Sequence, residues 1–502
     1  MQKALGSRIV ESDELRLASF DFVGYDDVSC LNARYPFTRC NPSPDNENNT
    51  RSNNMKVDIS KVFAETKLGR YHIAVLALCF LIVTIDGYDL VVMGVALPAI
   101  MSEMNMSTEV AGIIASSALV GMMVGAIFMG TLADRIGRIK TIAVCIALFS
   151  VFTAMIGFVR TPEALAALRL IAGIGLGGVI PCIAATTGEY SPKHLRARMM
   201  TIMLSGYPLG GVMAALLGKQ MIQAYGWQSV FFVAGAALLL LPAVFKLLPE
   251  SPAILYKRGD KRALRKLVEC FAPRRPISDL DEIYLPIPGN PAKTPVRLLF
   301  HDNRCFSTLL LWLSCFCGLF LLYGLNAWLP KLMALAGYSL DAALTLLLLM
   351  NIGCIIGSLM GGWLSDHFGL KRVMVIMLLG GAIAIPLLGE DLPAGLVSIV
   401  IFVVGMSAAG VQGVANAYIS QFYPAGTRAT GLGMALGVGR LGGIASPMVI
   451  GLLLALHLPV QCVLYMIAGF SILQAIAIWL VDDQVADLAS PCVEKERSAE
   501  AL

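Results

Sequence analysis

Charge is what this chain has least of. Only 14% of its 502 residues are Asp, Glu, Lys or Arg, against about 25% in soluble domains, so a surface bathed in water is excluded. Histidine is also scarce, with five residues and no metal-ligand spacing among them. The twelve cysteines are scattered, and Cys315 and Cys317 have no flanking ligand set. Buried thiols are therefore expected, with no metal site. No GxxxxGK[ST] loop occurs, which removes a nucleotide as energy source. The polar residues inside the apolar blocks include no nucleophile–base pair, so an enzyme is not expected.

What the chain does have is apolar sequence, 57% of all residues, with a mean hydropathy of +0.73. It falls into twelve blocks of about twenty residues, the length that crosses a hydrocarbon core of about 30 Å. The blocks are 72–98, 109–132, 141–159, 164–187, 199–222, 228–248, 307–329, 341–364, 371–389, 393–416, 428–455 and 459–481. The expected fold class is an all-α polytopic membrane protein with 12 transmembrane helices, its solvent a lipid bilayer. Basic residues gather in every second connection: Arg135/Arg138/Lys140, Lys193/Arg196/Arg198, 257–275, Lys371/Arg372 and Arg428. The positive-inside rule puts those connections and both termini in the cytoplasm, and the cell inner (cytoplasmic) membrane is the expected location. That rule accounts for the basic patches without a nucleic-acid partner.

Residues 1–54 are polar, with Pro42, Pro44 and NENNTRSNN, and lack the apolar core of a secretory signal. Two expectations stand: a disordered tail, or a start of translation at Met55. A six-helix bundle is expected over 55–248, a cytoplasmic linker over 249–306, a second bundle over 307–482 and a tail over 483–502. Within the linker, KRALRKLVECF (261–271) reads as an amphipathic helix lying along the cytoplasmic surface.

The two halves repeat. GTLADRIGRIK (130–140) recurs as GWLSDHFGLKR (362–372), an offset of 232 residues. The same offset aligns Pro98 with Pro330, Pro192 with Pro424, Arg196 with Arg428 and Gly210-Gly211 with Gly442-Gly443. Equal topology in halves of six spans makes this a parallel repeat about an axis along the membrane normal.

GTLADRIGRIK resembles the signature loop of the major facilitator superfamily, with its degenerate copy in the second half, and LPESPAIL (248–255) resembles the sequence after the sixth helix of many members. DGYDLVVMGVALPAI (86–100), YGLNAWLPKLMALAGYSL (323–340) and YPAGTRATGLGMALGVGRLGGIASP (423–447) are similar to the aromatic acid:proton symporters, above all the benzoate and hydroxybenzoate carriers. The resemblance covers residues 58–482. It implies the major facilitator fold, two six-helix bundles that alternate access in a monomer. It further implies symport of an aromatic carboxylate with protons, driven by a proton gradient and no cofactor. An exporter, a carrier of another organic anion and a transport-like receptor are the alternatives.

Charges present in one half alone point to function, because scaffold should repeat. At the 232-residue offset Asp86 meets Gly318, Asp89 meets Leu321, Glu189 meets Gln421, Arg169 meets Ile401 and Arg440 meets Pro208. Asp86 lies about 21 Å of helical rise into the first span, and a carboxyl in low dielectric favours its protonated form. Asp86 and Asp89 are therefore the candidate proton carriers, the competing view being pairs that merely hold helices together. Arg440 is the first candidate for the substrate carboxylate, against an ion pair with the first span. Arg169, nearer the far end of its span, could bind substrate, pair or snorkel. Glu189 suits a salt bridge to a loop arginine.

Gly130 and Gly137 should permit tight packing and a turn, with Asp134, Arg135 and Arg138 as a charge relay. Asp366 should act alike in the second half, and Arg428 is a further gating candidate. Tyr88, Tyr323, Trp328 and Tyr418 are candidate ring contacts and Asn326, Asn351, Gln412 and Asn416 candidate polar ones.

Overall fold

In a bilayer the backbone has no polar partner but itself, which leaves the helix as the conformation of each apolar block. The computed structural model describes residues 56–271, 282–284, 296–301, 303–390, 392–424 and 427–483. Twelve helices are long and apolar enough to span. They are α1 (Arg70–Glu103), α2 (Thr108–Ile136), α3 (Arg138–Ile156), α4 (Pro162–Tyr190), α5 (Arg198–Tyr225) and α6 (Gln228–Leu247) in the first half. The second half holds α7 (Cys305–Leu335), α8 (Leu340–Phe368), α9 (Leu370–Leu387), α10 (Ala394–Phe422), α11 (Arg428–Ala455) and α12 (Val460–Leu480). Large apolar side chains such as Leu239, Ile376 and Ile383 point outward, where a lipid environment receives them.

The repeat holds at the level of single residues. α2 and α8 begin and end 232 residues apart, and so do α4 and α10. The side chain of Ser107 caps α2 by accepting from the Val110 N–H, and Ser339 caps α8 through the Ala342 N–H. Gly137 and Gly369, the turns after α2 and α8, share positive φ values of 107° and 85°, a region where a side chain is strained. Packing repeats as well: α1 lies on α5 as α7 lies on α11, and α2 on α4 as α8 on α10. Between the halves α2 meets α11, α5 meets α8, and α1 meets α7, the pattern of an approximate two-fold axis.

The apolar core is distributed unevenly along that axis. At the end away from the basic loops one continuous core runs through both halves, from Val92 and Ile100 of α1 to Leu329 of α7 and Leu347 of α8. At the basic end each half keeps its own core. The halves are thus closed on each other at one end only.

Backbone contact makes the closure. A Cβ on Gly94 of α1 would lie 2.1 Å from the Asn326 carbonyl oxygen of α7, and one on Gly112 of α2 would lie 2.6 Å from the Pro447 oxygen of α11. Lys219 of α5 also pairs with Asp341 of α8 at 2.9 Å and donates to the Thr345 hydroxyl at 3.1 Å.

Two expectations need correction. Helix Lys261–Phe271 spends its apolar face on protein: Leu264, Leu267, Val268 and Phe271 are buried against the first half, with the Phe271 ring stacked on Tyr190 at 4.6 Å. Aromatic side chains at the bundle's end give that face a better partner than lipid. Cys305 and Cys462 are exposed, since each sits at a helix terminus, although most of the described cysteines are buried. Strand Lys56–Asp58 pairs in parallel with Glu282–Tyr284, a tie between the lead into α1 and the linker that no periodicity signalled. The expectations for residues 1–54 and for the tail beyond 483 fall outside the described residues.

An exposed ion pair contributes about 0–1 kcal/mol, so Lys219→Ala should leave the closed end shut. Gly94→Val should prop it open. A cysteine introduced at Thr345 should then react with an impermeant maleimide in the Gly94→Val background and stay slow in the Lys219→Ala background.

Candidate substrate-binding site

Asp86 and Asp89 both sit in the middle of α1 with no exposed surface, but their surroundings differ. Asp89 Oδ2 faces Arg169 Nη1 of α4 at 3.3 Å, and the same nitrogen donates to the Asp89 carbonyl at 3.2 Å. The guanidinium neither snorkels nor stands alone; it is 1% exposed and paired. One oxygen of Asp89 and the Arg169 Nε have no hydrogen-bond partner among the described residues, so the pair is incomplete. Neither oxygen of Asp86 has a hydrogen-bond partner among the described residues. Its electrostatic neighbours are Asp89 and Arg440. Of the two competing views of these aspartates, the structural pair describes Asp89 and not Asp86.

A cavity opens beside this group at mid-depth, between the halves. Its polar lining is Arg169, Tyr207 of α5, and Tyr323 and Asn326 of α7. Leu90, Val91, Met93 and Leu119 supply apolar wall. The space not filled by protein atoms is about 360 Å³, its open part included. Tyr207 and Tyr323 are electrostatic neighbours of each other. Arg440, the first candidate for the substrate anion, is absent from the lining. It reaches from α11 across the seam and donates to the Met122 carbonyl of α2 at 2.9 Å, and no ion pair to α1 forms among the described residues.

Other candidates lie elsewhere, each for a visible reason. The Tyr88 hydroxyl donates to the Val230 carbonyl at 2.7 Å, which turns the ring toward α6. Trp328 is fully buried and its Nε1 donates to the Pro447 carbonyl at 3.0 Å, a packing contact between α7 and α11. The Tyr418 hydroxyl is bonded to Asp483 at the basic end. Gln412 lies against Gly318 beside Gln474, inside the second half, and with Asn416 it is outside the cavity lining. Asn351 donates to Asn326 Oδ1 at 3.4 Å and so stands behind the lining. Tyr207 was missed, although its repeat partner is Gly439 and the asymmetry argument that found the charges applies to aromatics too.

The profile of the Major Facilitator Superfamily matches residues 79–360 and 345–498. The chain belongs to that superfamily. Among curated relatives, the benzoate transport protein of Acinetobacter baylyi is 38% identical over 436 residues, covering 86% of this chain and 93% of its own. The gallate transporter of Pseudomonas putida is 34% identical, covering 87% and 97%. The 4-hydroxybenzoate transporter PcaK of Acinetobacter baylyi is 30% identical, covering 84% and 94%. Among solved structures, a D-xylose-proton symporter matches with a TM-score of 0.64 at 17% identity, over 82% of this chain and 98% of that one. That likeness carries the fold alone.

In this member of the Major Facilitator Superfamily the loop at 130–140 is held from one side. Arg138 pairs with Glu189 at 2.7 Å, the salt bridge expected for Glu189. Glu250, from LPESPAIL, accepts from the Arg138 backbone N–H at 2.7 Å and from the Ser251 N–H at 3.2 Å. Its carboxylate also occupies the space where Gly137 would carry a Cβ. Asp134, Arg135 and Asp366 are exposed, and no ion pair of theirs occurs among the described residues, so the relay reduces to Arg138. A Cβ on Gly130 would meet nothing within 4 Å, and Gly362, its repeat partner, is equally open. Gly130 therefore packs against nothing here, because the halves are apart at this end. Arg428 is exposed and donates through Nε to the Tyr423 carbonyl at 3.4 Å, a local turn contact.

Removing a partner from a part-buried N–H costs about 1–3 kcal/mol. Glu250→Ala should lower the thermal midpoint in detergent and raise proteolytic nicking between 130 and 140, while Asp134→Ala leaves both near wild type.

Proposed function

We propose that the chain imports an aromatic carboxylate of the benzoate or hydroxybenzoate type together with protons, by alternating access of its two halves. The observation that carries this reading is the incomplete, fully buried Asp89–Arg169 pair, whose Arg169 lines a cavity at mid-depth. Removing one partner of a buried pair costs about 3–5 kcal/mol, since it strands the other charge. A proton arriving on Asp89 strands Arg169 in this way. The nearest remedy is another carboxylate, and an anion with an aromatic ring fits a guanidinium beside apolar walls. Proton and anion enter together because each makes room for the other.

The positive-inside rule assigns the basic loops to the cytoplasm, so the observed state faces inward and is sealed outside. The Arg440 strap to Met122 and the glycine contacts at Gly94 and Gly112 would open in the outward-facing state. Gly130 and Gly362 offer smooth surface for the halves to meet at the other end. Asp86, without a partner but near Arg440, serves as a second proton site. Similarity to the benzoate, gallate and 4-hydroxybenzoate transporters supports the substrate class, and the cell inner membrane is the corresponding location.

Uptake of radiolabelled benzoate and 4-hydroxybenzoate into proteoliposomes tests this directly. Accumulation should follow an imposed inward proton gradient and vanish when an uncoupler collapses it; accumulation that survives collapse overturns the coupling. Asp89→Asn should abolish concentrative uptake and spare exchange, because a neutral side chain leaves Arg169 free for substrate. Arg169→Lys should weaken apparent affinity about tenfold or more, since a point charge replaces a planar fork.

A further inference from the structure

The cavity has a second polar feature that the coupling mechanism does not use. Tyr207 and Tyr323 line it from opposite halves and are electrostatic neighbours of each other. Both residues are held by close helix packing. A Cβ on Gly87 of α1 would lie 2.1 Å from the Tyr207 carbonyl oxygen, and one on Gly443 of α11 would lie 2.6 Å from the Tyr323 ring. Neither phenol has a side-chain hydrogen-bond partner among the described residues. Side chains held this firmly, with donor and acceptor capacity unspent, suit recognition of a small polar group.

Resting on the proposed transport of aromatic carboxylates, we infer that the Tyr207–Tyr323 pair reads hydroxyl substituents on the substrate ring. With the carboxylate on Arg169 and the ring against Leu90, Val91 and Met93, a ring hydroxyl can enter between the two phenols. It donates to one and accepts from the other, giving each phenol a partner it lacks. An unsubstituted ring edge can do neither. A site built to hydrogen-bond a hydroxyl discriminates far more strongly than an apolar pocket discriminates a methylene. The two tyrosines belong to different halves, so a bound hydroxyl also ties the halves together at the depth of the substrate.

The test is a ratio, which stays meaningful if a variant transports more slowly. Half-saturation concentrations for 4-hydroxybenzoate, 3-hydroxybenzoate and benzoate are measured in proteoliposomes for wild type, Tyr207→Phe, Tyr323→Phe and the double variant. For at least one hydroxylated acid, the ratio to benzoate should worsen about tenfold or more in each variant. The double variant should be no worse than either single one, as for two groups acting as a unit. Tyr88→Phe, which removes a hydroxyl outside the cavity, should keep the wild-type ratio. Ratios within about two-fold of wild type for both hydroxylated acids, with benzoate still transported, overturn this assignment and leave the transport reading standing. No accumulation of any aromatic carboxylate by wild type overturns both. Should a variant express poorly, quenching of intrinsic fluorescence on titration with the same acids in detergent gives the same ratio.

Discussion

A guanidinium out of reach of water must have an anion, and that requirement organises this molecule. Arg169 has one, Asp89, held at 3.3 Å with a nitrogen and an oxygen of the pair left over. A fully satisfied pair would be inert structure, and an absent one would be costly. An incomplete pair can exchange its anion. Around it the fold supplies what the proposed exchange needs: a cavity alongside, apolar walls to keep the charges strong, and a seam between the two halves.

The scaffold and the machinery separate along the internal repeat. Helix limits, serine caps and left-handed glycines recur 232 residues apart, and so do the helix pairings α1–α5 and α7–α11. Asp86, Asp89, Arg169, Tyr207 and Arg440 have no like partner in the other half. A symmetric frame thus carries one asymmetric lining, the arrangement that the proposed alternating access requires.

Much of this was legible in the sequence. Twelve spans follow from apolar block length, and the aspartates stand out because Gly318 and Leu321 occupy their places in the other half. Legibility failed where packing decides. Nothing local says that residue 169 meets residue 89, or that Tyr88 on α1 turns to Val230 while Tyr207 on α5 turns to the cavity. Arg440 looked like an anion ligand because length and charge are readable, whereas its capture by a backbone carbonyl of α2 depends on the seam. Gly130 reads as a packing glycine in the sequence, yet its contact surface belongs to an end where the halves stand apart.

The closed end has a further consequence. Its decisive contacts at Gly94 and Gly112 are backbone against backbone, so the side chain that matters there is the one that is missing. Larger residues at such places leave intact the separate core that each half keeps at the basic end. They would change how long the protein dwells with that end shut. Sequence drift along this seam can therefore tune turnover while leaving the binding chemistry untouched, and pace and specificity become separately adjustable traits.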